Sequence, residues 1–219
     1  MTLLRLDASL RAEGSVSREV ADTVQRAWQA EHPGARIVHR DLGREPIALD
    51  SWIAANAART VPAEQRTPEQ KQAVALVETL RDELLDADAY LFAVPLYNFG
   101  VPSNLKTWVD LLLTLPELGG SGPAPLAGRP AVLVVSRGGG YGAGTPREGW
   151  DHATPWLQRI FSDVFRLELR TVAAELTLAN VVPAMAGLKD LAAQSLADAH
   201  VEADRHGREI ARERNRTAV

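Results

Sequence analysis

Two unbroken apolar runs, at 89–94 and 131–135, constrain the fold of this chain more than any other feature of its sequence. They read Ala-Tyr-Leu-Phe-Ala-Val before Pro95 and Ala-Val-Leu-Val-Val before Ser136. A strand with one wet face alternates apolar and polar residues, whereas a parallel strand covered by helices on both faces is apolar throughout. The runs therefore predict strands at the centre of a parallel sheet that lies between helices.

Further strands and helices alternate along the rest of the chain. Shorter apolar segments predict strands at 3–8, 35–40 and 167–173. Residues with helical spacing predict a helix capped by Ser17, a short helix at 51–58, a helix from Thr67 to about 86 with a capping box, and helices at 103–115, about 150–164 and 188–213. Five alternations favour the α/β class, with a doubly wound five-stranded parallel sheet and helices on both faces.

Length and composition set limits on the domain organisation and on the partners. We interpret the 219 residues as a single domain, 1–219, in which 119–130 is a loop rather than a linker. The net charge of −4 does not indicate the excess of positive charge that is typical of nucleic-acid binding. The absence of cysteine excludes thiolate catalysis and cysteine-bound zinc. No apolar run is long enough for a membrane span and no signal sequence is recognisable, so we expect a cytoplasmic protein without a membrane partner.

Hydroxyl side chains follow the first predicted strand, where a doubly wound sheet binds its ligands. Ser9, Ser15 and Ser17 approach the start of a helix, and Gly14 allows the backbone to turn. Unpaired N–H groups and the helix dipole attract an anion at such a position. No P-loop sequence is present, so a monophosphate bound for anchorage fits better than a transferred phosphate. The alternative is that Ser17 only caps the helix and that Ser9 and Ser15 are ordinary loop residues.

The turn after the third strand combines rigid backbone with flat apolar surface. Pro95 and Gly100 restrict the turn, Tyr97 and Phe99 offer ring faces, and Asn98 can both donate and accept hydrogen bonds. This combination predicts a site for a planar heterocycle with polar edges. The alternative is a tight turn whose aromatic rings are buried in the core. We interpret Ser103, three residues before a lysine, as a helix cap rather than a nucleophile.

The turn after the fourth strand is rich in glycine. Five glycines occur in 138–144, directly after Ser136 and Arg137, and would let the backbone approach a ligand closely. The segment 138–143 formally matches a dinucleotide fingerprint, but no helix is predicted to begin there and no acid ends the next strand. Arg137 is either a ligand of the site or a solvated or ion-paired side chain. On the last helix, His200, Asp204 and His206 are interpreted as a solvated face and not as a metal site.

Together the three turns resemble the FMN-dependent NADH:quinone and azo-compound oxidoreductases (azoreductases) of the flavodoxin-like fold. The phosphate loop of that family is matched by Ser9 and by Ser15-Val16-Ser17, and its Pro-Met-Tyr-Asn-Phe ring loop by 95–99, with Leu96 in place of methionine. Its Ser-Arg-Gly-Gly-x-Tyr element is matched by 136–141. Two segments depart from the family, 161–166 and Glu175-Leu176. If they form the wall of the substrate side, we expect an electron acceptor that differs from the usual one of the family.

The resemblance implies an enzyme with FMN as cofactor and NADH or NADPH as co-substrate. It implies ping-pong hydride transfer to a quinone or azo acceptor, a homodimer with the flavin sites at its interface, and no obligatory catalytic side chain or metal. The residues it assigns to the cofactor are Ser9, Ser15, Val16, Ser17, Pro95, Leu96, Tyr97, Asn98, Phe99, Ser136, Arg137, Gly138, Gly139 and Tyr141. The alternatives are a flavodoxin-type electron carrier, a dinucleotide-binding dehydrogenase, and a quinone reductase dedicated to one biosynthetic pathway.

Overall fold

Five parallel strands form one sheet in the computed structural model, which describes residues 1–119 and 124–213. The order of the strands is β2-β1-β3-β4-β5, which confirms the predicted doubly wound, flavodoxin-like α/β fold. The elements are β1 Thr2–Asp7, α1 Val16–Glu31, β2 Arg36–Asp41, α2 Leu49–Ala58, α3 Pro68–Asp86, β3 Ala89–Pro95, α4 Ser103–Leu112, β4 Pro130–Ser136, α5 Ala153–Gln158, β5 Glu168–Ala174 and α6 Lys189–Glu213.

The two unbroken apolar runs occupy the centre of the sheet. Every residue of β3 and β4 is buried, whereas the edge strand β2 contains no fully buried residue. Side chains of β3 alternate between two core layers. Tyr90 and Phe92 face α3, α4 and α5, and Phe92 stacks on Phe161 with ring centroids 4.0 Å apart. Small residues such as Ala93 face α1 and α6, so these two helices pack close to the sheet.

Helix starts differ from the prediction at two serines. Helix α1 begins at Val16, so Ser15 and not Ser17 occupies the N-cap position. Helix α4 begins at Ser103 itself, with Pro102 at the N-cap position, so the interpretation of Ser103 as the cap is wrong. The predicted capping box of α3 is confirmed, because Thr67 accepts the N–H of Gln70 and the side chain of Gln70 accepts the N–H of Thr67.

The other differences are shifts of element ends. Strand β1 ends at Asp7, β5 runs one residue later than predicted, and α4 ends at Leu112 rather than at 115. Helix α5 begins at Ala153 because the carboxylate of Asp151 accepts the N–H groups of Ala153 and Thr154 and so ends the preceding turn. A π-helical segment, Arg159–Val164, continues α5. Of the predicted loop 119–130, residues 120–123 lie outside the described part of the chain.

The histidines on α6 are not a uniformly solvated face. His200 receives or donates a hydrogen bond with Thr23 of α1 at 2.9 Å, and His206 is buried between Glu202 and Glu209. The prediction of a solvated face is therefore wrong for His206, because α6 packs along α1 on this side. Within 1–119 and 124–213, no helix is both long enough and apolar enough to cross a membrane.

The contact between α1 and α6 depends on the absence of a side chain at Gly207. A Cβ atom there would lie 2.5 Å from the carbonyl oxygen of Val24 and 2.8 Å from Cβ of Ala27. We expect Gly207→Ala to lower the free energy of unfolding by about 1–3 kcal/mol, because the two helices must separate despite the better helix propensity of alanine. Urea denaturation followed by circular dichroism measures this change.

Gly187→Ala is the matched control for that variant. No atom lies within 4 Å of a Cβ atom at Gly187, so its substitution is expected to change the free energy of unfolding by less than about 0.5 kcal/mol. Equal stability of the two variants would contradict the close packing of α6 on α1.

Candidate functional site at the carboxyl ends of the strands

A cleft of about 530 Å³ opens outside the carboxyl ends of β1, β3 and β4. Strand β1 lies between β2 and β3, so the chain reverses its direction across the sheet at this point, which is where doubly wound folds bind ligands. The lining residues come from all three predicted turns and from the segment after β5. They are Ser9, Leu10, Arg11, Gly14, Ser15, Val16, Pro95, Leu96, Tyr97, Asn98, Ser136, Gly138, Thr177 and Leu178.

The start of α1 presents unused hydrogen-bond donors to this cleft. Ser15 has extended backbone and makes no side-chain capping bond, and Glu19 is the residue whose N–H bonds back to the carbonyl of Ser15. The N–H groups before Glu19 therefore need acceptors from outside the helix. Because Ser15 and Val16 line the cleft, these donors lie at its edge, where an anion can accept them.

Ser17 has a different position from the other two serines. It is fully buried and does not line the cleft, and its hydroxyl lies 3.2 Å from that of Ser15. Ser17 therefore contacts the hydroxyl of Ser15 from behind, while Ser9 and Ser15 reach the cleft itself.

The turn after β3 is a two-residue reversal with strained backbone. Tyr97 and Gly100 exchange both backbone hydrogen bonds, at 3.1 and 2.9 Å, and the residues between them have φ of +48° (Asn98) and +68° (Phe99). Positive φ at both central positions defines a type I′ turn, in which a bulky aromatic residue is unusual. Such strain persists where the surrounding structure holds it, often at a functional site.

The two aromatic residues of this turn point in different directions. The hydroxyl of Tyr97 accepts the N–H of Leu10 at 3.2 Å and lies 3.4 Å from the hydroxyl of Ser9, so the turn is joined to the loop after β1. Phe99 is half-buried outside the lining of the cleft and contacts Trp150 and Tyr141 edge-on, with ring centroids 5.3 and 6.4 Å apart. Neither ring is buried in the central core.

The glycine-rich turn after β4 is fixed to both of its neighbours. The N–H of Leu96 donates to the carbonyl of Ser136 at 2.8 Å, which joins this turn to the turn after β3. Gly138 lines the cleft, and a Cβ atom there would lie 2.7 Å from a methyl carbon of Leu178. Gly139 and Tyr141 are not among the residues that line the cleft. A Cβ atom at Gly139 would lie 3.7 Å from the ring of Tyr141, which in turn contacts Phe99.

The guanidinium of Arg137 is turned away from the cleft. It forms ion pairs with Asp151 at 2.9 Å and Glu175 at 2.7 Å and donates to the hydroxyl of Thr154. Of the two interpretations of this residue, the structure favours the ion-paired one. Its side chain therefore connects the end of β5 to the start of α5.

The same turn lacks the geometry of a dinucleotide fingerprint. No helix opens directly after 138–143, since α5 begins at Ala153. The carbonyls of 137–139 accept N–H groups from Thr177, Leu178 and Leu176, which fix the turn to the segment after β5. Leu176 adopts φ of +59° within this segment.

The sequence interpretation missed four lining residues, Leu10, Arg11, Thr177 and Leu178. Thr177 and Leu178 follow the fifth strand, so their position at a strand end was the available signal. Glu175-Leu176, one of the two segments in which the sequence departs from the family, therefore lies next to the cleft. The departure at 161–166 does not, because Phe161 and Phe165 are buried in the core against Phe92 and Trp108.

An ion-pair network fixes the loop after β1 from below. The guanidinium of Arg18 donates to Asp7 at 2.9 Å, to both carboxylate oxygens of Asp41 at 2.7 Å, and to the carbonyl of Ser9 at 2.8 Å. A Cβ atom at Gly43 would lie 1.9 Å from that same carbonyl, so only glycine fits there. The loop is thus held at Ser9 by a side chain that the sequence interpretation did not single out.

Burial and charge act in opposite directions on the carboxylates of this network. Burial raises the pKa of Asp7, but the hydrogen bond from His39 and the charge of Arg5 outweigh it, so the pKa lies below the ordinary 3.8. The pKa of Asp41 is lowered in the same way, mainly by Arg18, against the effect of burial. Asp7, His39 and Asp41 each have one oxygen or nitrogen atom within 4.8 Å of such an atom of the other two. The positively charged guanidinium of Arg18 already pairs with both carboxylates.

Comparison with known proteins defines the class first. A family model described as a flavodoxin-like fold matches residues 1–204, so the chain belongs to that family. An azoreductase from Bacillus anthracis superposes with a TM-score of 0.72 at 23% identity, covering 95% of this chain and 99% of the other. An FMN-dependent NADH-azoreductase from the same species, solved in complex with FMN, superposes with a TM-score of 0.78 at 18% identity, covering 96% and 100%.

Curated relatives narrow the family further. An FMN-dependent NADH:quinone oxidoreductase of Frankia alni is 41% identical over 197 residues, which are 89% of this chain and 93% of the relative. Another of that name, from Kineococcus radiotolerans, is 42% identical over 195 residues, which are 86% and 89%. The chain therefore belongs to the family of the FMN-dependent NADH:quinone oxidoreductases.

The lowered pKa values of Asp7 and Asp41 make stability depend on pH in a defined direction. A carboxylate whose pKa is lower in the native state stabilises the fold above its unfolded pKa and loses this effect as the pH falls through its native pKa. We expect Asp41→Asn to lower the free energy of unfolding by about 1–3 kcal/mol near neutral pH. Below the ordinary value of 3.8 its difference from wild type should shrink.

Urea denaturation of both proteins at about pH 7 and about pH 3 measures this difference. Asp86→Asn, at an exposed aspartate that ends α3, is the control and should behave as wild type at both pH values. A loss of stability in Asp41→Asn that is the same at both pH values would contradict a role for the charge of Asp41.

Proposed function

We propose that this chain is an FMN-dependent NAD(P)H oxidoreductase that reduces quinones and azo compounds by two-electron, ping-pong transfer. The observation that carries the proposal is the cleft at the reversal point of the sheet, where anion donors and a rigid turn of flat apolar character meet. Relatives at 41–42% identity have the corresponding activity in their names.

The donor set at one end of the cleft fits the phosphate of FMN. Ser9 and Ser15 supply hydroxyls, and the first turn of α1 supplies backbone N–H groups without partners in the helix. Gly14 has φ of +62°, which lets the loop bend around the anion. These groups bind a phosphate by hydrogen bonds and dipole without being able to transfer it.

The other end of the cleft fits a flavin ring. Pro95, Leu96 and Tyr97 form a wall that backbone hydrogen bonds hold rigid, and Asn98 carries an exposed amide that can bind the polar edge of the ring. We assign ring contacts to these residues and to Ser136 and Gly138, and a supporting role to Ser17, Gly139 and Tyr141. Bound FMN supplies a ring that takes hydride from NAD(P)H and passes two electrons to the acceptor.

The side chains of the site orient and enclose the reactants. Phe99 is held in place by Trp150 and Tyr141. Its ring forms apolar surface at the turn after β3, where an aromatic acceptor can stack. Leu178 closes the cleft from the side of β5. We assign no general acid or base, because protons can come from water.

Localisation, oligomeric state and domain organisation belong to the same proposal. We infer a cytoplasmic homodimer in which each chain is one domain. All five strands lie in one sheet, which supports a single domain. Two large apolar side chains are exposed, Leu10 in the lining of the cleft and Trp150 against Phe99, which supports a partner surface. Leu10 is 64% exposed and Trp150 is 51% exposed, as expected of residues that a partner or an acceptor covers. A quinone reductase that is dedicated to one biosynthetic pathway would use the same chemistry.

Flavin content and turnover test the proposal directly. We expect the purified protein to be yellow, to contain one FMN per chain, and to oxidise NADH or NADPH when menadione or an azo dye is present. An electron carrier would contain FMN but oxidise almost no NADH, and a dinucleotide-binding dehydrogenase would be colourless. A colourless protein that takes up no added FMN would refute the proposal.

Phe99 provides a test of the acceptor side. Phe99→Ala should raise KM for naphthoquinones by about tenfold, because a lost aromatic contact is worth about 1–1.5 kcal/mol, while the FMN content stays unchanged. Phe99→Leu keeps most of the apolar surface and is expected to lie between wild type and Phe99→Ala. Unchanged kinetics of Phe99→Ala with every quinone tested would show that Phe99 does not contact the acceptor.

A further inference from the structure

We infer that Arg11 is the counter-ion of the cofactor phosphate and the residue by which this cleft distinguishes FMN from unphosphorylated flavin. The inference rests on the proposed function, since it assumes that a flavin binds in the cleft. Arg11 belongs neither to the family motifs matched in the sequence nor to the hydroxyl groups of Ser9 and Ser15 that reach the cleft.

One residue of the cleft is distinguished by its charge. Among the described residues that line it, Arg11 alone carries a full charge at neutral pH, and the others are apolar, hydroxyl, amide or glycine. A phosphate monoester has a charge between −1.5 and −2 at neutral pH, and removing it from water is costly unless a cation pairs with it. Hydroxyls and N–H groups give direction to this binding, but a charged partner strengthens each hydrogen bond about twofold.

Arg18, the arginine of the first turn of α1, already has other partners. Its guanidinium is already bound to Asp7, Asp41 and the carbonyl of Ser9, and its side chain is only 12% exposed. Two carboxylates thus neutralise its charge from below the loop. Arg18 fixes the position of the loop, and it has no free donor pair for a phosphate on the other side.

Two further arginines at this end of the sheet, Arg5 and Arg137, are also ion-paired. Arg5 is buried and paired with Asp7 and Asp22. Arg137, the arginine that the family motif includes, is paired with Asp151 and Glu175. Both of these guanidinium groups lie between two carboxylates, so neither offers an unpaired charge to the cleft. Arg147 lies over the ring of Phe99 and is not among the residues that line the cleft.

Arg11 itself is anchored at the cleft by its main chain. Its backbone N–H donates to the hydroxyl of Ser9 at 3.3 Å, and the N–H of the preceding Leu10 donates to the hydroxyl of Tyr97. The main chain is therefore held at the cleft, while the side chain is exposed. Glu13, the acid of the same loop, is exposed and is not among the residues that line the cleft.

Flavin binding by full-length apoprotein tests the inference, with quenching of flavin fluorescence as the readout. We expect Arg11→Gln to raise Kd for FMN by about tenfold or more, in line with the loss of one charge-assisted hydrogen bond, and to leave Kd for riboflavin unchanged. Arg11→Lys keeps the charge and should recover most of the affinity for FMN. Raising the salt concentration should weaken FMN binding to wild type more than to Arg11→Gln.

Arg36→Gln is the matched control. It changes the net charge equally, but Arg36 is exposed at the first residue of β2, at the opposite end of the sheet from the cleft. We expect wild-type affinity for both flavins in this variant. Equal loss of FMN affinity in Arg11→Gln and Arg36→Gln would show a general charge effect and overturn the inference.

Two further outcomes separate this inference from the proposed function. Equal weakening of FMN and riboflavin in Arg11→Gln would mean that Arg11 supports the loop rather than the phosphate, which overturns the inference and leaves the function intact. Wild-type protein that binds neither flavin would overturn both. Inorganic phosphate that competes with FMN on wild type and much less on Arg11→Gln would support the phosphate contact.

Discussion

The guanidinium of Arg18 joins the paired ends of β1 and β2, where Asp7 and Asp41 lie opposite each other in the sheet, to the loop after β1. It binds the last residue of β1 through Asp7, the last residue of β2 through Asp41, and the loop between β1 and α1 through the carbonyl of Ser9. A buried ion pair of this kind adds little net stability, because both partners lose their hydration. The ion pair instead fixes geometry, because the position of Ser9 determines where its hydroxyl lies relative to the start of α1.

The second constraint on the site comes from hydrogen bonds between successive turns. Leu96 donates to Ser136, and the carbonyls of 137–139 accept N–H groups from the segment after β5. Each turn at the carboxyl edge is thereby fixed to the next one in the order of the strands. The strained backbone at Asn98 and Phe99 is stable in this setting because Tyr97 is bonded on both sides of the turn.

The fold could be predicted from the sequence because its strongest signals are local. Unbroken apolar runs identify β3 and β4, and Thr67 followed by proline and Gln70 identifies the start of α3. The missing signals were those that depend on distant partners. His206 is buried because α6 packs against α1, which lies more than 170 residues away in the chain.

The same distinction applies to the site. Nine of the predicted cofactor residues line the cleft, since motifs at strand ends meet wherever parallel strands end together: Ser9, Ser15, Val16, Pro95, Leu96, Tyr97, Asn98, Ser136 and Gly138. The side chains of Ser17, Phe99, Arg137 and Tyr141 lie behind or beside it, because their orientation depends on contacts such as Asp151 with Arg137 that no spacing in the sequence encodes. Thr177 and Leu178 were missed since the fifth strand carries no recognisable motif.

The hydroxyl of Tyr97 joins the turn after β3 to the loop after β1 by contacts within the protein. These contacts align the two halves of the binding surface independently of any ligand contact, so little conformational entropy is lost upon association. Capture of a ligand then requires desolvation of the surface rather than folding of a loop around it. The barrier to release is correspondingly set by the contacts themselves, and exchange can occur without unfolding any part of the scaffold.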